Sequence, residues 1–227
     1  GSEMCIRDSE WAASQSFSSF DTYLAPFVKA DSLSYDKVKK CMEAFVFGVN
    51  TPSRWGTQAP FSHISMDFKV PKDMAGEKAI VGGKKMGFTY GECQDEMDMV
   101  NRAFLETMLE GDANGQGFQY PIPSYGINAD FDWSDTEQNR LLFSLASRHG
   151  TPYFINYVRG GAVQGEDRVT YGDDSRDLRV LHKKAGGFFG YGEHTGAVGV
   201  VTVNLPRIAS QSRNEDEFYG KLDHMMD

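Results

Sequence analysis

Two hydrophobic periods take turns along this chain, and their alternation constrains the fold more than any other feature. Apolar residues recur every three or four positions in one stretch and every second position in the next. The first pattern makes a helix with one buried stripe, the second a strand with one buried face. Trp11 to Ala30 reads as a helix broken near Pro26. Tyr35, Val38, Met42, Phe45 and Val49 share a helical stripe behind Ser34, a side chain suited to cap it. Ile64 to Val70 alternates strictly, which predicts a half-buried strand ending at Pro71. Met97, Val100, Phe104 and Met108 line one side of a helix over 91–110, with Gly111 placed to end it. Phe118 to Pro123 reads as a short strand with a stiff exit. Ser134-Asp135-Thr136-Glu137 reads as a capping box for a helix that buries Leu141, Leu142 and Leu145 and runs to His149 before Gly150. Thr151 to Val158 reads as a strand, and Ala197 to Leu205, apolar except for Thr202 and Asn204, suits a strand covered on both faces. Asn214 with Glu217 opens a last helix carrying Phe218, Leu222 and Met225. Strands alternating with helices favour an α/β fold over α+β.

The segments between these elements are less regular. Residues 72–90 are rich in Gly and Lys and read as a surface excursion; Arg159 to Arg176 reads as a loop, and Asp177 to Lys184 as a short helix. Gly1 to Ser9 joins abruptly to the amphipathic stretch after it and is set aside as a terminal segment foreign to the fold. Residues 10–227 are then expected to form one domain, a piece of a larger one cut at both ends, since the chain stops inside a helix-like pattern at Met225-Met226-Asp227.

Net charge is −9, from 23 basic and 32 acidic residues. So acidic a chain is ill suited to coat a nucleic-acid backbone, although a local basic pocket could still take a single nucleotide. No run of about 18 apolar residues occurs, so no membrane-spanning helix is expected. Cys5, Cys41 and Cys93 are few and widely spaced. They have neither metal-ligand spacing nor the look of a disulfide framework, which fits a reducing cytoplasm.

The stretch Val49 to Phe61 suits neither a plain helix nor a plain strand. Pro52 and Pro60 fix φ and remove two backbone donors, while Thr51 and Ala59 are pushed toward extended conformations. A corner held this way presents Ser53, Arg54 and Gln58 in fixed directions, as recognition of a polar, anionic ligand requires. It could equally be a buried corner with Arg54 paired to a carboxylate. Gly186-Gly187-Phe188-Phe189-Gly190-Tyr191-Gly192 lies ahead of the apolar run 197–205. Its backbone N–H groups could approach phosphate, yet it matches no phosphate-loop fingerprint, and a flexible connection explains it as well. Asn204 and Arg207 close the apolar run, and a polar amide at the end of a core strand must be bonded, by ligand or by fold. His63, His149, His182, His194 and His224 form no helical pair and no triad, so each reads as structural or solvated. Cys41 lies beside a helical stripe and reads as core. Cys93 sits in a first helical turn, where the dipole could lower its pKa, although a plain structural thiol is the simpler reading.

Taken together, a series of motifs resembles one family. They are Glu10-Trp11-Ala12, Phe17-Ser18-Ser19-Phe20-Asp21-Thr22-Tyr23-Leu24-Ala25-Pro26-Phe27, Pro52-Ser53-Arg54-Trp55-Gly56, Gln94-Asp95-Glu96-Met97-Asp98, Asn101-Arg102-Ala103-Phe104-Leu105-Glu106, Tyr120-Pro121-Ile122-Pro123, Gly187-Phe188-Phe189-Gly190 and Val200 to Arg207. From Glu10 to Asp227 the chain resembles the middle of the large subunit of anaerobic (class III) ribonucleoside-triphosphate reductases. The resemblance implies part of a ten-stranded α/β barrel of the glycyl-radical/ribonucleotide reductase type. It implies reduction of ribonucleoside triphosphates to deoxyribonucleotides, usually with formate as reductant, in a cytoplasmic homodimer. It also implies a partner activase, which uses S-adenosylmethionine and an iron–sulfur cluster to make a glycyl radical. The radical site and the family's zinc-binding cysteines would lie beyond Asp227, so no cofactor and no metal is expected on this chain, and neither membrane nor nucleic acid as a partner.

The departures from the family matter as much. Aligned on Asp177-Leu178-Arg179, the family's cysteine pair falls on Tyr171 and Gly172, and its Asn falls on Gly192. A thiyl radical can take hydrogen from a sugar carbon because an S–H bond is nearly as strong as that C–H bond. A phenoxyl radical at Tyr171 cannot, since its O–H bond is much weaker. No catalytic residue of the family is therefore intact, and the substrate-binding candidates are Ser53, Arg54, Gln58, Asn204 and Arg207. Three readings stay open: a piece of a reductase that is inactive in isolation, a non-catalytic nucleotide-binding homologue with a regulatory or interaction role, and a misread sequence over 159–176.

Overall fold

The computed structural model of the chain describes residues 14–51, 59, 61–127, 131–156 and 201–226. The chain divides into two compact units, Gly1–Ala185 and Gly186–Asp227. The first unit is mixed α/β and is built on four strands, β1 (Ser14–Phe17), β2 (Phe61–Met66), β5 (Ile122–Ile127) and β6 (Tyr153–Asn156). They pair in the order β1-β2-β5-β6, every neighbour parallel. Between β1 and β2 run α1 (Phe20–Ala30) and α2 (Tyr35–Val49). Between β2 and β5 run α3 (Lys72–Ala75), an antiparallel hairpin of β3 (Lys78–Val81) with β4 (Lys84–Thr89), a short 3-10 turn at Gly91–Cys93, and α4 (Gln94–Glu110). The connection from β5 to β6 is α5 (Glu137–His149). Each strand is added to the same edge as the one before, so crossovers of one hand put their helices on one side of the sheet.

The core lies between that side and the helices. Ile64 and Met66 of β2 and Tyr125 and Ile127 of β5 pack with Val28, Val38, Met42, Val46, Val100, Phe104, Met108, Leu142 and Leu145 from the four long helices. The stripe expected on α4 is buried in full, with Met97, Val100, Phe104 and Met108 at most 2% exposed. Each such side chain contributes about 1.5–3 kcal/mol on burial. On α2 the buried residues are Val38, Met42 and Val46, an i, i+4 row, rather than the series ending at Val49. Cys41 faces outward on this helix and is exposed, not core.

Several boundaries differ from the local pattern, each because a distant partner decides them. Residues 14–17 form a strand, not the start of a helix, because Phe61–Ile64 supplies a parallel neighbour. Pro26 does not break α1; it lies on the inward side, buried with Thr22, Ala25 and Val28. β2 stops at Met66, short of Val70, because the Asp67 and Phe68 N–H groups turn to the Asp21 carboxylate and Phe68 takes φ +64°. The strand expected at 118–123 begins at Ile122, since the Asn50 side chain binds both the N–H and the carbonyl of Tyr120. Thr136, not Ser134, caps α5: its hydroxyl accepts the Asn139 N–H at 3.1 Å. The excursion over 72–90 is structured, with Met74, Ala79 and Tyr90 forming a small core of their own.

In the second unit, residues 201–204 are not a strand and Val201 is 92% exposed. Leu205 instead opens α6 (Leu205–Ser210), followed by α7 (Glu215–Met226). The cap expected before α7 is present: Asn214 Oδ1 accepts the Glu217 N–H at 2.9 Å, and the Glu217 carboxylate accepts the Arg213 N–H at 2.9 Å. No residue of α7 is buried. Among the described residues no helix is long and apolar enough to cross a membrane.

Candidate functional site

Parallel sheets covered on both faces are apolar throughout. The face of the present sheet turned from the helices is mixed, with polar residues set among Phe61, Ile122 and Ile155. Register places Ser16 of β1 beside His63 of β2, and Ser65 of β2 beside Ser124 of β5, which in turn lies beside Tyr153 of β6. All five occupy the face turned away from the helices, because they alternate with the core residues Ile64, Met66 and Tyr125. His63 Nε2 lies 2.8 Å from Ser124 Oγ, linking two strands, and both residues are buried. Imidazole and hydroxyl groups can each donate or accept a hydrogen bond, and these five residues include no lysine or arginine. The chemistry of this face suits neutral hydroxyls better than a polyphosphate.

A second polar cluster occupies the carboxyl edge of the sheet, where ligands bind in open α/β folds. Asp21, in the first turn of α1, is fully buried. Its carboxylate accepts the backbone N–H of Thr22 at 3.0 Å, of Asp67 at 2.9 Å and of Phe68 at 2.8 Å. It also accepts the Asn101 side-chain amide of α4 at 2.9 Å. The Asn101 carbonyl oxygen in turn accepts the Tyr125 hydroxyl at 3.3 Å. Thr22 donates its hydroxyl to the Asp67 carboxylate at 2.7 Å. One buried carboxylate thus ties α1, the exit of β2, α4 and β5 together. Burial and the nearby Asp67 charge raise the Asp21 carboxyl to about 6, against the lowering pull of the Asp67, Asn101 and Phe68 donors. Burial, with the Asp21 charge beside it, holds the Tyr125 hydroxyl well above its ordinary range.

Ser53, Arg54 and Gln58 lie outside the described residues, as do Tyr171, Gly192 and the glycine-rich loop 186–192. Asn204 and Arg207 belong to the second unit. Asn204 does not end a core strand; its side chain caps α6 by accepting the Arg207 N–H at 3.0 Å, and Arg207 is exposed. Cys93 is the residue before α4; burial, against the lowering pull of Lys29, pushes its thiol up to about 11, which agrees with the structural reading. Among the described residues no three His, Cys, Asp or Glu side chains converge to hold a metal. No described site therefore fits zinc or an iron–sulfur cluster. Sequence reasoning missed Asp21, His63, Asn101 and Ser124 as site residues. The usable signals were polar residues at alternate positions of β2 and an aspartate inside the apolar series of α1.

A family model described as anaerobic ribonucleoside-triphosphate reductase matches residues 4–227. The chain is also 26% identical over 135 residues to the anaerobic ribonucleoside-triphosphate reductase of Haemophilus influenzae, an alignment covering 56% of this chain and 18% of that protein. The chain thus spans under a fifth of the length of the relative it matches.

Proposed function

The chain belongs to the anaerobic ribonucleoside-triphosphate reductase family, and from that premise we propose that it forms part of the catalytic barrel of an enzyme reducing ribonucleoside triphosphates to deoxyribonucleotides, the precursors of DNA. One observation carries the reading: the family match runs over residues 4–227, the whole of the parallel sheet included. Strands added always to the same edge are what a barrel wall requires, and closure into ten strands extends that geometry. Free thiols at Cys41 and Cys93 suit a reducing cytoplasm.

In this reading the nucleotide lies at the carboxyl edge of the sheet. Ser53, Arg54 and Gln58 border it, and the His63–Ser124 face offers hydrogen bonds to its neutral hydroxyls. A glycyl radical, made by an S-adenosylmethionine iron–sulfur activase, supplies the hydrogen-abstracting chemistry in the complete homodimer, with formate as reductant. The residues of this chain hold and orient the substrate. Tyr171 and Gly192 stand where the relay cysteine and the asparagine belong, so the chain alone has no route for the radical. That same loss favours a second reading, a nucleotide-binding homologue without turnover.

Strictly anaerobic assay of the complete protein with activase and formate separates the two. Turnover gained on introducing Tyr171→Cys with Gly192→Asn supports the reductase reading, and none supports the second. Calorimetry on Arg54→Ala is expected to show weakened nucleotide binding, by about tenfold for a lost charged contact. An unchanged affinity removes Arg54 from the pocket.

A further inference from the structure

The hydrogen bonds to the Asp21 carboxylate from Thr22, Asp67, Phe68 and Asn101 all come from donors. Ionisation of Asp21 adds a second charge beside Asp67 in a fully buried position. The segment so held is unusual. Phe68 sits at φ +64°, where a bulky L-residue costs about 1–2 kcal/mol and persists only when its surroundings enforce it. Its N–H is bound to Asp21 and its ring packs on Tyr125 and Phe131. The titratable groups around Asp21 are Asp67 at the exit of β2 and Tyr125 of β5; α1 and α4 present the neutral Thr22 and Asn101. We propose that Asp21 is a positioning residue: its carboxyl group, through the Asp67 and Phe68 N–H groups, holds the exit of β2 for a nucleotide at the carboxyl edge, and ionisation beside Asp67 slackens that hold.

The inference rests on the reductase reading, which places substrate at this edge. Because burial and Asp67 bring Asp21 to about 6, the change falls in a range the protein can meet. Hydrogen–deuterium exchange on the complete protein, corrected for intrinsic rates, tests it without turnover. Protection of the Asp67 and Phe68 amides should be highest below about pH 4 and fall as pH rises to about 6, by up to about tenfold per unit. In Asp21→Asn this dependence should vanish. Asp67→Asn removes the like charge and keeps both amides, so it should move the midpoint down by about one unit, and it decides the matter even if Asp21→Asn folds poorly. In an active enzyme kcat/KM should decline as pH rises through the same midpoint and show the same shift, with KM changing more than kcat. Lack of turnover in the complete protein carrying Tyr171→Cys with Gly192→Asn would count against the reductase reading alone. Protection that stays flat between about pH 4 and 6, or a midpoint unmoved by Asp67→Asn, overturns the role of Asp21.

Discussion

Two carboxylates contact α4, and their titrations are displaced in opposite directions. Glu106, on the helix itself, accepts Arg102 Nε at 2.9 Å, the Tyr35 hydroxyl at 2.7 Å and Lys39 Nζ at 3.0 Å. Burial works against its ionisation, yet these bonds outweigh it and hold the carboxyl at about 2. Asp21 has at least as many donors, but all are uncharged, and its charged neighbour is another acid, so it settles at about 6. The count of hydrogen bonds is therefore a poor guide to a carboxylate. The sign of the charges around it and its access to water decide.

Removing the Asp21 side chain breaks the comparison hardest. Asp21→Ala leaves the Asp67 and Phe68 N–H groups and the Asn101 amide without their acceptor, at an expected cost of about 3–5 kcal/mol in chemical denaturation. A loss below about 1 kcal/mol would show that those donors find other partners and that Asp21 is no hub. Asn101→Ala sharpens it. One donor to Asp21 and the acceptor of the Tyr125 hydroxyl go together, for about 2 kcal/mol, and the Asp21 midpoint should rise because a bond favouring its charged form is gone. A midpoint that falls instead would contradict the donor argument.

The smallest effect is expected at Glu106, where the partners are partly solvated. Glu106→Gln should cost about 1 kcal/mol at neutral pH. Its signature is in pH dependence, and the two sites have opposite signs. Glu106 titrates below its ordinary 4.5, so its stabilisation is present above that value and lost as pH falls toward 2. Asp21 titrates above its ordinary 3.8, so the folded state binds the proton more tightly. Its contribution is fully present below about 4 and declines as pH rises to about 6. Stability profiles should lose the low-pH slope in Glu106→Gln and the slope between about pH 4 and 6 in Asp21→Asn. Identical profiles for the two variants would end the contrast.

Much of the helical layer was legible in the sequence. The α4 stripe, the Gly111 and Gly150 stops and the Asn214–Glu217 cap all arise from spacing and side-chain chemistry within one turn. Strand limits were not, because a strand is defined by its neighbour. Ser14–Phe17 looks helical until Phe61–Ile64 lies beside it. The site was harder still. Asp21 and Asn101 stand 80 positions apart, and His63 and Ser124 stand 61 apart. Asn204 was visible as a polar residue at a boundary, but only the backbone shows that it caps a helix.

The sequence by itself determined the α/β class, the family and which helices are amphipathic, because periodicity, caps and motif order are properties of neighbours along a chain. The tertiary structure alone decided which face of the sheet carries His63 and Ser124, where β2 ends and which acid sits in the dark with a second acid beside it. Those outcomes depend on desolvation and on hydrogen bonds between segments far apart in the chain, and neither exists until the segments have packed.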